Sequence, residues 1–406
     1  MLIRSLIKYL DDAIGESINL FALVWILVFL MMFSIALVNP VIPYLIDEFL
    51  VEEAAAVAMI GLLNSSFNLA KTLANIPGGV LADKLGKRKL IAISFLILPF
   101  PFLLYYFSDN CYYLIAGQLI SGIALGVSIP AISAVVADIV PRATLSTAYG
   151  IFNLSWTLGQ IPSPMLGGFL SEVMGLKTPF LAALLISLPC LALSLKLRGS
   201  EEKKIEHALS QDSLEEVDSS AKKSYKKVLM LFCGIEALNG FGNGILTTLF
   251  IVYPLYVLGV SAFEMGVIFS IGWGVATALA QVPGGRLADK FGEKPLILAC
   301  VLITTPLLIL LPLTRTLVNF IIVLGVLCIV GNLSIPAYSS WLATSLPSSK
   351  RGTGFGATSA AFGIGLIIGP IIGSILWNLF QFQAIIPFAA SAIMFLLTIP
   401  FIKAIR

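Results

Sequence analysis

Two ionisable side chains, Lys71 and Glu236, lie deep inside long apolar runs of this sequence. Each costs roughly 2.5 to 3.5 kcal/mol at the centre of a bilayer unless it is paired or wetted, so each marks a place where function is expected. Lys71 shares one helical face with Asn64, Asn68 and Asn75; Glu236 shares another with Asn239, Gly240 and Asn243. Both sit about 12 to 14 Å from the basic end of their runs, at 1.5 Å of rise per residue. At matched depth they are expected to face one central cavity, where Glu236 binds and releases a coupling proton and Lys71 pairs with it in one conformation. Two alternatives stand beside this reading: a static ion pair between helices, or two side chains that snorkel to the interface.

Further groups could line such a cavity. Gln118 and Asn332 add amides to those of Asn68, Asn239 and Asn243, and Trp25, Trp156 and Trp273 add aromatic surface for a bulky apolar compound. Other chemistry finds no residues. The single histidine, His207, stands in a polar central segment, and the five cysteines show neither a metal spacing nor a disulfide framework. No phosphate-binding loop appears. Neither an enzyme, a metal site nor a cofactor is expected.

The elements that must position these residues are membrane helices. With 58% apolar and 12% charged residues, the chain has too little polar surface for a soluble globule of 406 residues. Twelve apolar runs are each long enough to cross about 30 Å of hydrocarbon. They cover 19–46, 56–80, 90–107, 111–137, 144–171, 178–197, 228–257, 262–287, 294–312, 317–344, 353–376 and 383–402. Pro77-Gly78-Gly79-Val80-Leu81-Ala82-Asp83-Lys84-Leu85-Gly86 returns 206 residues later as Pro283-Gly284-Gly285-Arg286-Leu287-Ala288-Asp289-Lys290-Phe291-Gly292. The chain is therefore a tandem duplication of six spans, an arrangement that suits a site facing either side of a membrane in turn.

Basic residues gather at one end of the spans, including Arg4, Lys87, Arg88, Lys89, Lys290, Lys294 and Lys403, whereas only Lys177 and Arg315 fall at the other. Both termini are expected in the cytoplasm of a multi-pass cell-membrane protein. The net charge of +3 reflects this topology and points to no nucleic-acid partner. Residues 1–18 read as a cytoplasmic interfacial helix, 19–197 and 228–402 as two six-helix bundles, and 198–227 as a cytoplasmic linker. No short basic segment with an apolar core and cleavage site precedes the first span, so a cleavable signal peptide is not expected.

The loop Gly79-Val80-Leu81-Ala82-Asp83-Lys84-Leu85-Gly86-Lys87-Arg88-Lys89-Leu90 resembles the signature between the second and third spans of the major facilitator superfamily, and its copy carries Gly285, Asp289 and Gly292. The resemblance covers nearly the whole chain and implies an all-helical, twelve-span fold of two six-helix repeats. It also implies that Asp83, with Lys87, Arg88 and Asp138, latches the cytoplasmic side shut when the protein opens outward. Capping of helices and setting of topology is the plainer role for Asp83 and Asp138. The second copy has Glu293 for a base and Thr344 in the place of Asp138, so a weaker latch is expected there. The Gly78-Gly79 pair is expected to let two helices approach closely.

In the fifth span, Gly150, Gly159, Pro164, Gly167 and Gly168 resemble a signature of proton-coupled antiporters in that superfamily, the drug exporters especially, with Ser163 where the family has Gly. The eleventh span keeps Gly356, Gly365, Gly369, Pro370 and Gly373, so a pure packing role for both copies fits as well. Gln118 stands where many proton-coupled members place an Arg, which removes the usual buried cation. The leading expectation is a secondary transporter, functional as a monomer, that exports small amphipathic or drug-like molecules in exchange for protons. A carrier of a specific polar solute, such as a sugar or organic anion, is the alternative, because the amides offer hydrogen bonds.

Overall fold

The computed structural model describes residues 18–140, 145–197, 219–346, 351–380 and 383–405, the side chains of 76, 83, 145–150, 219–225, 281–282 and 351–353 excepted. The expected helix over 1–18, most of the linker and the carboxylate of Asp83 lie outside them. The described residues contain helices and no strand, as lipid requires of a chain that must satisfy every backbone group internally.

Among the described residues, ten helical segments are long and apolar enough to cross a membrane: Ile18–Phe49, Lys87–Tyr106, Cys111–Ile139, Thr178–Lys196, Lys226–Leu258, Ala262–Ala280, Glu293–Leu313, Leu317–Ser345, Gly354–Leu379 and Ile385–Ala404. The second and fifth places are taken by Glu53–Leu85 and by the pair Leu145–Gln160 and Pro162–Met174. The second span is diluted by its stripe of Asn and Lys71, and the fifth is broken at Ile161, before Pro162-Ser163-Pro164. The seventh helix begins at Ser219, upstream of its apolar run, and the second continues through Pro77 to Leu85.

Proline places most of the other irregularities. The first span breaks at Asn39-Pro40 and resumes at Ile42, and the third breaks at Leu98, before Pro99. Pro254 opens a π-helical turn, Pro254–Leu258, at the end of the seventh span. Pro lacks the donor and crowds the preceding turn, so a helix yields there.

Within each half the first span packs on the fifth and the second on the fourth, and the seventh, eighth, tenth and eleventh spans repeat that plan. Glycine makes the approaches close. A methyl on Gly159 would stand 2.7 Å from the Phe29 carbonyl oxygen of the first span, and one on Gly369 would stand 2.6 Å from Gly244 Cα of the seventh. Gly86 and Gly292, at equivalent places in the two loop motifs, have φ of 89° and 86°, a conformation that glycine adopts without penalty. The halves meet where the second span lies on the eleventh and the fifth on the eighth.

Candidate functional site

Glu236 lies on the wall of a cavity of about 470 Å³ inside the C-terminal half. The seventh span brings Asn239 and Asn243 to the same wall, one and two turns further on, as their spacing requires. The tenth span supplies Asn332 and Tyr338, and Trp273 and Phe250 add aromatic wall. Tyr338 and Asn239 share this wall with Glu236, and the Tyr338 hydroxyl donates to Phe232 O at 3.3 Å. The Asn243 amide donates to Asn239 O at 2.8 Å, and that of Asn332 donates to Cys328 O at 2.7 Å, so both keep carbonyl oxygens for a ligand. Glu236 is the only carboxylate among the residues lining this cavity.

A second cavity of about 200 Å³ lies toward the acidic end, chiefly within the N-terminal half. Its polar groups are Asn39, Asn64, Tyr105, Gln118, Ser121 and Thr247, and Trp273 forms part of its wall as well. A third, of about 560 Å³, separates the first, fourth and fifth spans from Ile335 and Pro336 of the tenth; Trp156 and Asn153 line it.

Other expected cavity residues are placed differently. The Trp25 indole donates to Ile151 O at 2.9 Å and its ring stacks on Phe29, so it serves packing of the first span on the fifth. Asn68 donates to Asn64 O at 2.9 Å and lines none of the three cavities. Lys71 lines none of them either, and no ion pair joins it to Glu236 in this conformation. Its helix is pressed so close to the fourth span that a methyl on Gly126 would stand 2.5 Å from Lys71 O.

Tyr338, Thr304, Ser339, Thr358 and Ser359 are wall residues that sequence reasoning missed. A signal for some of them exists in the duplication. At the offset of 206, Glu236, Asn239, Asn243 and Tyr338 correspond to Leu30, Phe33, Leu37 and Ile132. Polar groups thus stand in the second half where the first half is apolar.

At the basic end, the Lys87 ammonium meets the Asp138 carboxylate at 2.6 Å, tying the third span to the fourth. In the second half Glu293 takes the place of Lys87 and accepts from Ser340 Oγ at 2.9 Å, while Thr344 returns its hydroxyl to its own helix. A hydroxyl-to-carboxylate hydrogen bond therefore replaces an ion pair. Lys294 donates to Ile405 O and lies over the Trp341 ring, at 5.3 Å from its centroid. In each glycine pair only the first member makes a close approach: a methyl on Gly78 would meet Gly126 O at 3.0 Å and one on Gly284 would meet Leu333 O at 2.7 Å, whereas Gly79 and Gly285 have nothing within 4 Å.

The acidic end is closed by bonds between the halves. Tyr44 Oη donates to Val260 O at 2.7 Å, and Tyr256 Oη donates to Asp47 Oδ1. The Phe263 amide donates to Glu172 Oε1 at 2.9 Å, and Asn378 Nδ2 donates to Ala54 O at 2.8 Å. Beneath these, Gly168 lies against the backbone of Ala262 and Phe263, and Gly266 against that of Pro164 and Met165. The geometry combines a closed acidic end with internal cavities that mix one carboxylate, several amides and aromatic rings.

Comparison with known proteins agrees with this architecture. A model of the family described as Major Facilitator Superfamily matches residues 24–273 and 232–405. Multidrug resistance protein 2 of Bacillus subtilis (strain 168) is 26% identical over 375 residues, covering 91% of this chain and 92% of that protein. Quinolone resistance protein NorA of Staphylococcus aureus (strain COL) is 24% identical over 352 residues, covering 86% and 88%. Among solved structures, a D-xylose–proton symporter superposes with a TM-score of 0.73 at 18% identity, over 96% of this chain and 97% of that one.

Proposed function

The chain belongs to the major facilitator superfamily, and from that premise we propose that it exports small amphipathic or drug-like molecules in exchange for protons. Glu236 carries the coupling proton. The observation that supports this most is chemical: one carboxylate on a cavity wall otherwise made of aliphatic side chains, amides, hydroxyls and aromatic rings. The names of the multidrug and quinolone resistance relatives point the same way. The protein acts as a monomer in the cell membrane, with the basic end and both termini in the cytoplasm. On that orientation the conformation described is closed to the outside. The cluster around Asp83, Lys87, Arg88 and Asp138 latches the cytoplasmic side when the two halves rock the other way.

A second reading has support of its own. The amides of Asn64, Gln118, Asn239, Asn243 and Asn332 would suit a polar solute such as a sugar, and the fold is shared with a D-xylose–proton symporter.

The test is reconstitution into proteoliposomes holding an internal pH dye, with lipophilic cations, sugars and organic acids added under a proton gradient. Proton movement that depends on a lipophilic compound and is lost in Glu236→Gln is the expected result. Unchanged rate and pH dependence in Glu236→Gln would remove the coupling role, and solute flux without proton movement would favour a uniporter or another ion.

A further inference from the structure

Trp273 stands on a π-helical stretch of the eighth span, Ile268–Val275, between Gly272 and Gly274. A π register shifts side chains out of the ordinary helical order and is frequent at functional sites. Here the glycines let the backbone seat tightly. A methyl on Gly274 would stand 3.1 Å from Ile161 Cγ1, at the break of the fifth span, and one on Gly272 would stand 3.0 Å from Leu324 Cδ2 of the tenth. The backbone is thus held on both sides while the indole remains 37% exposed, set edge-on to Phe250 with centroids 5.9 Å apart. That one ring lines both the cavity of about 470 Å³ and the cavity of about 200 Å³.

The two chambers differ in chemistry. The larger holds the Glu236 carboxylate; the smaller has no charged group on its wall. In the smaller, Asn64 spends its amide N–H on Ile60 O at 3.1 Å and keeps its carbonyl oxygen, while Gln118 makes no hydrogen bond among the described residues. The Asn64 acceptor and the Gln118 amide, with the Asn39 amide and the Ser121 and Thr247 hydroxyls on the same wall, suit a neutral group that both donates and accepts. Pockets for drug-sized ligands begin near roughly 300 Å³, so the smaller chamber takes a substituent and the larger takes the body of a ligand.

We propose that Trp273 is a specificity-determining partition: the Glu236 chamber seats the body of a substrate, and the chamber of Asn64 and Gln118 seats a neutral amide or hydroxyl substituent that passes the indole. This rests on reading the cavities as the transport site. An indole on the shared wall of the two chambers stacks on a flat ligand and limits the arms that reach the second chamber.

Proteoliposomes carrying the wild type, Trp273→Ala, Trp273→Phe, Gln118→Ala or Glu236→Gln would be compared for gradient-driven transport of an acridine dye and of the same dye bearing a carboxamide arm. The wild type should favour the armed dye in kcat/KM. Gln118→Ala should reduce that preference by up to roughly tenfold, the size of one hydrogen bond to an uncharged group. Trp273→Ala should reduce it as well, and Trp273→Phe should keep it. If Glu236→Gln impairs both dyes while the Gln118 and Trp273 variants change both by the same factor, the partition is overturned and the transport site stands. If no cavity variant affects either dye, the transport site itself is overturned.

Discussion

The Tyr44 hydroxyl donates to the Val260 carbonyl at 2.7 Å, joining the first span of one half to the loop before the eighth span of the other. Tyr44→Phe keeps the ring and removes that bond, at a cost of about 0.5–1.5 kcal/mol to the closed acidic end. A cysteine placed in the loop beside Val260 should then react faster with a membrane-impermeant maleimide. An unchanged labelling rate would mean that the glycine contacts alone hold this end.

The Lys87–Asp138 pair is partly open to solvent, with side-chain exposures of 29% and 56%. Exposed pairs contribute about 0–1 kcal/mol, so Lys87→Met should leave thermal stability nearly unchanged. If the pair takes part in a latch, the same variant should slow transport several-fold, whereas Glu293→Gln, which keeps a partner for Ser340, should slow it less. Equal transport by Lys87→Met and the wild type would reduce the pair to a helix tie.

Gly369 faces Gly244 with no room for a side chain, a methyl there standing 2.6 Å from Gly244 Cα. The eleventh and seventh spans must part to admit one. Overpacking typically costs about 1–3 kcal/mol, so Gly369→Val should lower the melting temperature of the purified protein. Val at Gly356, where nothing lies within 4 Å, is the control and should have a smaller effect.

Lys71 and Glu236 are not paired in this conformation. The stability effects of Lys71→Gln and Glu236→Gln should therefore add to within about 0.5 kcal/mol in a double-mutant cycle measured by thermal unfolding. A larger coupling would restore the static ion pair. A coupling seen in transport rates and absent from stability would fit a pair made in the other conformation.

Much of this fold can be read from residues alone. Apolar runs mark the membrane helices and the offset of 206 marks the duplication, whereas proline alone does not place the breaks: Pro99 and Pro162 open new helices, but Pro77, Pro130 and Pro336 lie inside continuous ones. The π stretch around Trp273 has no such announcement, because π and α registers share the same composition. Glu236 was legible because a carboxylate is conspicuous in an apolar run, and Asn239 and Asn243 follow it by helical spacing. Thr358 was not, since a threonine hydroxyl is tolerated on any helix face by bonding to its own backbone, and Tyr338 was not, since its ring fits an apolar run and its hydroxyl reaches Phe232 O of the seventh span. The direction of Trp25 was equally hidden: an indole that donates to Ile151 O and one that faces a ligand have identical sequence signals.

Beneath the side-chain bonds of the acidic end, the halves also touch backbone against backbone, Gly168 on Ala262 and Gly266 on Pro164, with Gly61 held against Pro370 O. Surfaces of this kind have no compliant side chains to stretch, so partial separation loses most of the contact at once and small displacements gain nothing. The consequence is temporal. Motion between the two states should come as abrupt transitions separated by long waits, and a single-molecule distance trace across this end should show plateaus where a hinge with a soft interface would show drift.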